Sequence, residues 1–581
     1  MKRRTLSQAV LAALLLAGTA SGTMAQSLDY DAPVDDDTEV DNGVDLEQDN
    51  GVPADSVRRG RGVGQVYSGR PRVDVNPYVN ASQTVVVNLK GDGDGFGDDY
   101  TSTRVGAGVT ATAMTRRAQG VLGLDYGHNF GWGKHPDSDT VNAIASGTYT
   151  IIPRQLSIDA GGIATHMRSN RNEVRPGVYT GDLTNTADIY SVYMGPSYAT
   201  QIGPLGLGAT YRFGYNRVEN DNEVVTNNGV RKLGDYGSST NHSASVSLGM
   251  STRQLPVGWS VSAGYDREDV NRYDQRYENL YGRLDLTYPV SPTLALLGGV
   301  GYEDIKISQR PVLRDANGRP VWNDDGGYQP DKSAPRQLAY ATDGLIWDVG
   351  VSWRPNPRLA LIARYGERYG GTFYSGTASY AASRNTNVYV SVYNTLSSFG
   401  RSMTSSINGL PPQFNVVRNP FDGSFGTCGI GAEAASCLDP ALAGVAASNF
   451  RSRGVLAALG TSYDGWDVGF AFGVDQRKYI SPLLDEFGYN GLTDETYYVN
   501  LTASRKLDRV SGLMASAYFN YFNPGMPNWE DSKNAGAMVT YQRMIWRRLT
   551  GQAAVSLNSF SQDGVNSGLI AAGVVGLSYG F

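Results

Sequence analysis

Cysteine, histidine and long apolar runs are all scarce in these 581 residues, and each scarcity removes a class of protein. Beyond the first 25 residues no window approaches the roughly 20 consecutive apolar residues that a membrane-crossing helix requires, which excludes a helical membrane protein. Only four histidines occur, His128, His135, His166 and His242, and none stands in a nucleophile or metal-ligand motif. A hydrolase would need a Ser, a His and an orienting group converging at one strand end, and only His166 and His242 lie near such ends. The expectation is a chain that is no enzyme and has no catalytic, metal or cofactor site. The two cysteines, Cys428 and Cys437, sit close together in a stretch rich in Gly, Ala and Ser, without the further ligands of a zinc site. In an oxidising compartment they pair and staple a loop, a cross-link of about 2 to 3 kcal/mol by loop closure; a free, redox-active pair is the other reading. Basic residues are not in excess: 50 Lys and Arg face 56 Asp and Glu, a net charge of -6, and no basic patch marks a nucleic-acid partner.

What is abundant is Gly, 71 residues, and Tyr, 36 residues, the composition of strands that need only one apolar face. The N-terminus sets the compartment. Lys2, Arg3 and Arg4 precede an apolar run from Ala9 to Ala17, and Thr23-Met24-Ala25 offers a small-residue cleavage site, so residues 1–25 read as a secretory signal peptide. Residues 26–71 carry Asp or Glu at about every third position and nothing to bury, ending in a cluster of Arg58, Arg59 and Arg61. Such a segment cannot offset its ordering entropy and reads as a disordered acidic periplasmic arm, either a solvated spacer or a docking tail for a periplasmic partner.

From residue 72 to the end the pattern has a period of two, with no helical interludes. In 72–89, Val73, Val75, Val79, Val85, Val87 and Leu89 alternate with Asp74, Asn76, Asn80, Ser82, Thr84 and Asn88. Alternation also suits a soluble sandwich, but connection lengths separate the two. Tight links at Ile152-Pro153-Arg154, Gly203-Pro204-Leu205, 289–292, 354–357 and Asp464-Gly465-Trp466 alternate with long polar excursions near 168–187, 217–240, 308–342 and 398–452. Short periplasmic turns and long outward loops are the habit of outer-membrane barrels. The short link at Arg368-Tyr369-Gly370-Gly371 stands as an exception to that parity. The last strand ends with Leu577, Tyr579 and Phe581 on one face, an aromatic terminus resembling the sorting signal read by the barrel assembly machinery. These features predict an all-β chain: one large transmembrane antiparallel β-barrel of 18 to 22 strands, best counted as 22, over residues 72–581. It belongs in the outer membrane of a Gram-negative bacterium, with membrane lipid as its first partner.

A charge facing the bilayer midplane costs about 2 to 4 kcal/mol, so the charged members of each strand must face inward. That register sends Arg104, Asp125, Asp159, Arg212, Arg283, Asp285, Glu303, Asp348, Arg364, Arg368 and Asp475 into the lumen. Trp353 and Tyr365 go to the lipid face. Inward charges imply water, and a barrel of 16 or more strands leaves an aqueous channel or holds a plug. The sequence before the barrel is too short and too polar to be a folded plug, so a channel is expected. The same charges read equally as cross-strand pairs that fill and stiffen the wall.

The segment 288–304, the turn Trp353, Pro355, Pro357 and Arg358, and then Gly366, Arg368, Tyr369, Gly370 and Gly371 resemble outer-membrane barrels found with exopolysaccharide and PEP-CTERM systems, over roughly residues 280–400. The resemblance implies a conduit for exopolysaccharide export or assembly that catalyses no reaction, served by a periplasmic polysaccharide-export protein. Inward Arg would attract acidic sugars, and Tyr281 and Tyr498 would stack on sugar faces. A general diffusion porin and a surface scaffold or adhesion barrel are the alternatives. The loop 91–99, with Asp92, Asp94, Asp98 and Asp99, departs from EF-hand spacing and reads as a solvated acidic turn before a calcium site.

Overall fold

A computed structural model describes residues 71–90, 99–133, 137–168, 186–220, 223–226, 229–232, 236–252, 255–322, 328–410, 418–425, 428–430, 435–437, 448–482, 490–525, 531–562 and 565–581. The expected signal peptide, nearly all of the acidic arm and most of the acidic loop at 91–99 lie outside these residues. Twenty-two antiparallel strands form one sheet. The sheet closes because Arg72–Lys90 pairs with Tyr100–Met114 on one edge and with the last strand, Val565–Gly580, on the other. Two short hairpins, Glu223–Thr226 with Gly229–Lys232 and Cys428–Ile430 with Ala435–Cys437, stand apart from it. No described helix is long and apolar enough to cross a membrane.

The period of two becomes two faces. In the first strand Val73, Val75, Val79, Val85, Val87 and Leu89 are exposed on the outer surface, while Asn80, Ser82 and Thr84 are buried inside. Aromatics gather at both ends of the outer wall: Tyr149, Tyr288, Trp353, Tyr463, Trp546, Tyr579 and Phe581 near the short turns, and Phe130, Trp132, Tyr302, Tyr365 and Phe519 towards the long loops. This outward apolar band between aromatic girdles, on a closed barrel without free edges, places the chain in the outer membrane of a Gram-negative bacterium, in contact with lipid.

Turn chemistry follows the expected links. Asp464 and Gly465 both have positive φ and join the paired residues Tyr463 and Trp466, the geometry a tight hairpin with right-handed twist requires. The link at Tyr369-Gly370 also has two positive φ values and lies on the long-loop side. The hairpin from Leu359 to Ser383 is therefore a short link on the long-loop side, the exception to the alternation of lengths that the sequence showed.

Two expectations need correction. The excursion at 398–452 does not simply reach outward, because its first part forms a helix, α1 (Phe399–Asn408), packed inside the barrel. Nor is the inner wall uniformly wet: Val121, Ile144, Ile163, Ile189, Tyr193, Val218 and Val270 point inward and form an apolar core with α1. Strict alternation put water on that face, but burial against a second element suits apolar side chains equally well.

Candidate functional site

The sequence FGRSMTSSIN makes α1 because Phe399, Met403 and Ile407 recur at a spacing of four and align on one face. Ser398 caps it, its side chain accepting a hydrogen bond from the Arg401 backbone N–H at 3.2 Å. At the other end the Gly409 N–H donates to the Ser405 carbonyl at 2.8 Å. Met403 and Ile407 are fully buried, as are Phe399 and Leu410 to within a percent. Polar contacts then orient the helix. The Ser398 hydroxyl donates to the Glu268 carboxylate, and Arg401 reaches the same carboxylate at 3.3 Å. The Arg401 guanidinium stacks 3.4 Å from the ring centre of Tyr277 and donates to Asn449 at 2.8 Å. On the far side Asn241 donates to Thr404 at 3.1 Å.

A second infolded piece, Arg418–Phe425, closes on itself as a small turn. The Asn419 N–H donates to the Ser424 carbonyl at 2.7 Å, and the Gly423 N–H to the Asn419 carbonyl at 3.0 Å. Its tip packs against the charged pair Arg104–Asp125, which is buried in the inner wall. Gly423 has a φ of 75°, and a Cβ there would collide with both Asp125 and Arg104, so only glycine admits this approach. Arg418 adds an ion pair to Asp125 at 3.4 Å, and Tyr78 donates to the same carboxylate at 2.8 Å. Phe421 packs on Val86, Ala554, Ala572 and Val574. The Asp422 carbonyl accepts from Asn142 at 3.1 Å, while its side chain accepts from the Ser424 N–H and hydroxyl at 2.9 and 2.7 Å. Burial pushes the Asp422 carboxyl above the usual aspartate range against the opposing pull of the Ser424 hydrogen bonds.

Together these two pieces touch the inner wall from the strand Gln275–Ser291, through the closing seam, to the strand Leu549–Gln562. Much of the remaining wall is lined by ion pairs. Arg283 grips Asp285 with two hydrogen bonds, 2.8 and 2.7 Å, and reaches Asp348 at 2.5 Å. Arg364 bridges the same two aspartates at 3.1 and 2.8 Å, which closes a neutral ring of four side chains. Arg368 pairs with Glu303 at 3.1 Å, and Glu303 also accepts the Tyr369 backbone N–H at 3.2 Å. Asp475 accepts from Arg477 at 2.7 Å, Tyr393 at 2.9 Å and Ser452 at 2.5 Å.

Of the eleven residues expected in the lumen, Arg104, Asp125, Arg283, Asp285, Glu303, Asp348, Arg364, Arg368 and Asp475 are buried inside the wall, each no more than 7% exposed. Asp159 and Arg212 are half-buried. Asp159 accepts from Thr148 at 2.7 Å and Ser197 at 3.0 Å, whereas the Arg212 Nε has no hydrogen-bond partner among the described residues. The structure thus brings four of them into one ring, two into the pair that receives the Gly423 tip and two, Arg368 and Glu303, into a further ion pair, and leaves Asp159, Arg212 and Asp475 in separate contacts. Tyr281 lies under the Arg368 guanidinium, 5.3 Å away, and Tyr498 is buried. Glu268, Arg401 and Arg418, which tie the infolded pieces to the wall, were not anticipated; the one available signal was the spacing of Phe399, Met403 and Ile407. The backbone register sets Cys428 opposite Cys437. His166 lies beside Asp188 and His242 beside Tyr211, both at 2.8 Å, and no group of three metal-ligating side chains occurs among the described residues.

No family model matches the chain, and no curated protein matches it. Several solved structures are similar. The ferric-catecholate import receptor Fiu from E. coli K12, closed form, aligns over 88% of this chain and 83% of its own at 11% identity and a TM-score of 0.44. The siderophore receptor PiuA from Acinetobacter baumannii aligns over 91% and 85% at 9% identity and a TM-score of 0.43. The alcaligin outer-membrane receptor FauA from Bordetella pertussis aligns over 88% and 77% at 12% identity and a TM-score of 0.37. The chain is an outer-membrane β-barrel on its own geometry: a closed ring of 22 strands with an apolar outer band. The expected exopolysaccharide-export channel is corrected. In this chain α1 and the turn around Gly423 pack against the inner wall, inside the bore through which a polymer would thread. The association with exopolysaccharide and PEP-CTERM systems, and with a polysaccharide-export partner, falls with it.

Proposed function

We propose that this barrel is a gated outer-membrane uptake transporter, kept shut by its own infolded loop until a ligand or partner displaces it. One observation carries the reading: Met403 and Ile407 are fully buried, and α1 packs on an inner wall that supplies matching apolar side chains. An open diffusion pore has no use for such a wall, because its inner face would meet only water. Strand number agrees, since 22-stranded outer-membrane transporters hold a plugged lumen whereas porins of 16 to 18 strands leave an aqueous channel. Transport of this kind breaks no bond; what it needs is a closed state that binding energy can open. Ferric chelates, the cargo named for the similar barrels, are the first ligands to test.

The test has two arms. In liposomes that swell when a sugar enters, the wild-type chain should admit sugars slowly, and a variant lacking residues 399–425 should admit them fast. Equal swelling would make the wild type an open pore and end the proposal. In cells, uptake of labelled ferric chelates is compared with and without the chain; equal uptake removes that ligand while leaving the gate to the first arm.

A further inference from the structure

The outer wall near the long loops carries several cations, and those around one side of the ring are neutralised locally. Arg217 pairs with Glu219 at 2.6 Å, Arg267 and Arg276 share Asp269 at 2.6 and 2.7 Å, and Lys306 pairs with Asp304 at 2.8 Å. One patch breaks this rule. Arg451 and Arg453 on the strand Asn449–Tyr463 share a face with Val455, which is exposed on the outer wall, while Phe450 and Ser452 between them are buried inside. The neighbouring strand sets Lys478 directly opposite Arg451. Arg451, Arg453 and Lys478 have no acidic partner among the described residues. Among the described residues Arg451 donates only to neutral oxygens, the Asn394 side chain at 2.9 Å and the Thr372 carbonyl at 2.5 Å. The next acid along the register, Glu495, accepts instead from Gln476 at 2.8 Å and Tyr497 at 3.3 Å.

Like charges directly opposite one another on adjacent strands destabilise a sheet, so a trio of this kind is a cost unless an anion bridges it. Its height decides which anion. The patch lies one alternation above lipid-facing Val455, on the long-loop side, where the headgroups of the outer leaflet begin. The short hairpin Leu359–Ser383 lowers the rim alongside, and Arg451 leans across its Gly371 end, which gives a headgroup room to approach from the side. We infer that Arg451, Arg453 and Lys478 form a binding site for the phosphate of an outer-leaflet glycolipid, with two forked guanidiniums and one ammonium meeting one phosphate. Arginine forks match phosphate geometry with paired, charge-assisted hydrogen bonds, and the ammonium adds a point charge. The site lies outside the barrel and is independent of the transport reading.

The experiment places the full chain in nanodiscs containing bisphosphorylated lipid A or its chemically dephosphorylated form, and counts retained lipid by native mass spectrometry. Wild type should retain the phosphorylated lipid about tenfold or more above the R451Q/R453Q/K478Q variant, and above its own retention of the dephosphorylated lipid. K306Q, a cation with its own carboxylate, should retain wild-type levels. Equal retention by the triple variant, or of the dephosphorylated lipid, overturns the site. Should the triple variant fail to show the heat-modifiable migration of a folded barrel, the wild-type comparison of the two lipids decides alone. Inorganic phosphate stabilising the lipid-free protein as strongly as lipid A would make this a soluble-anion site and overturn the lipid assignment.

Discussion

Removing the buried apolar face of α1 should release the helix without touching the ladder of the barrel. In a Met403→Ala, Ile407→Ala double variant two fully buried side chains are truncated against a wall of strands that cannot collapse inward to fill the gap. Each such truncation costs about 2 to 5 kcal/mol. The two residues are neighbours on one helix face and share wall contacts, so their effects overlap, and about 4 kcal/mol is the lower figure for the pair. At roughly 1.4 kcal/mol per factor of ten, that shifts the balance between docked and released helix about a thousandfold. Amide hydrogen exchange reads this directly: protection of 399–408 should fall about a thousandfold, while strands such as Gln337–Asn356 keep theirs. Single-channel recordings should show openings more often in the variant. A change in exchange below about tenfold, in a barrel that still migrates as folded, would mean the apolar face does not hold α1 in place.

Truncating Glu268→Ala leaves Arg401 over the Tyr277 ring without its carboxylate, and loss of one partner from a buried pair costs about 3 to 5 kcal/mol. The E268Q/R401Q double variant should recover most of that in the same exchange measurement; no recovery would mean the pair is not the anchor. Asp422 gives a pH dependence of known sign. Its carboxyl is raised by burial, so docking carries no penalty below the ordinary aspartate range. The penalty grows as pH rises through that range and is complete above the raised value, so protection of 418–425 should be greater in acid. D422N, which keeps an oxygen for Ser424, should flatten that slope; an unchanged slope assigns it to another group. The proposed Cys428–Cys437 cross-link should appear as one unreduced peptide pair in mass spectrometry of protein taken from the outer membrane, and free thiols there would refute it. Phe581→Ala should lower the fraction of chain assembled in the outer membrane if the aromatic terminus is what the assembly machinery reads; equal assembly removes that role.

Most of the barrel was legible because its signal is repeated and local. Each strand restates the same alternation, the tight turns carry their own chemistry in Asp464-Gly465 and Pro204, and the charge rule assigns every strand a face without reference to its neighbours. Nine of the eleven inward candidates are buried on this account. What alternation could not supply is what the inward face meets. Val121, Ile144, Ile163 and Ile189 are apolar where water was expected, and a period of two is silent on whether the space in front of them holds solvent or a helix.

The missing helix did leave a mark, in a place where the reading was tuned to strands. Ser398 followed by Phe399, Met403 and Ile407 is a cap and an apolar stripe, in a loop otherwise rich in Ser and Gly. A stripe of that kind in water would be a liability, and a set of inward valines and isoleucines on distant strands would be another. Neither feature makes sense alone, and each accounts for the other: a loop that must sit inside the barrel needs a dry patch of wall to rest on. The Gly423 tip follows the same logic in polar form. The only chain that fits so closely against the Arg104–Asp125 pair is one without a side chain, brought there by a turn whose own hydrogen bonds hold it shut. The infolded loop is thus written in pairs of residues separated by some 240 to 300 positions, such as Ile163 with Ile407 and Asp125 with Gly423, and pairs that far apart are visible only once the ring has closed.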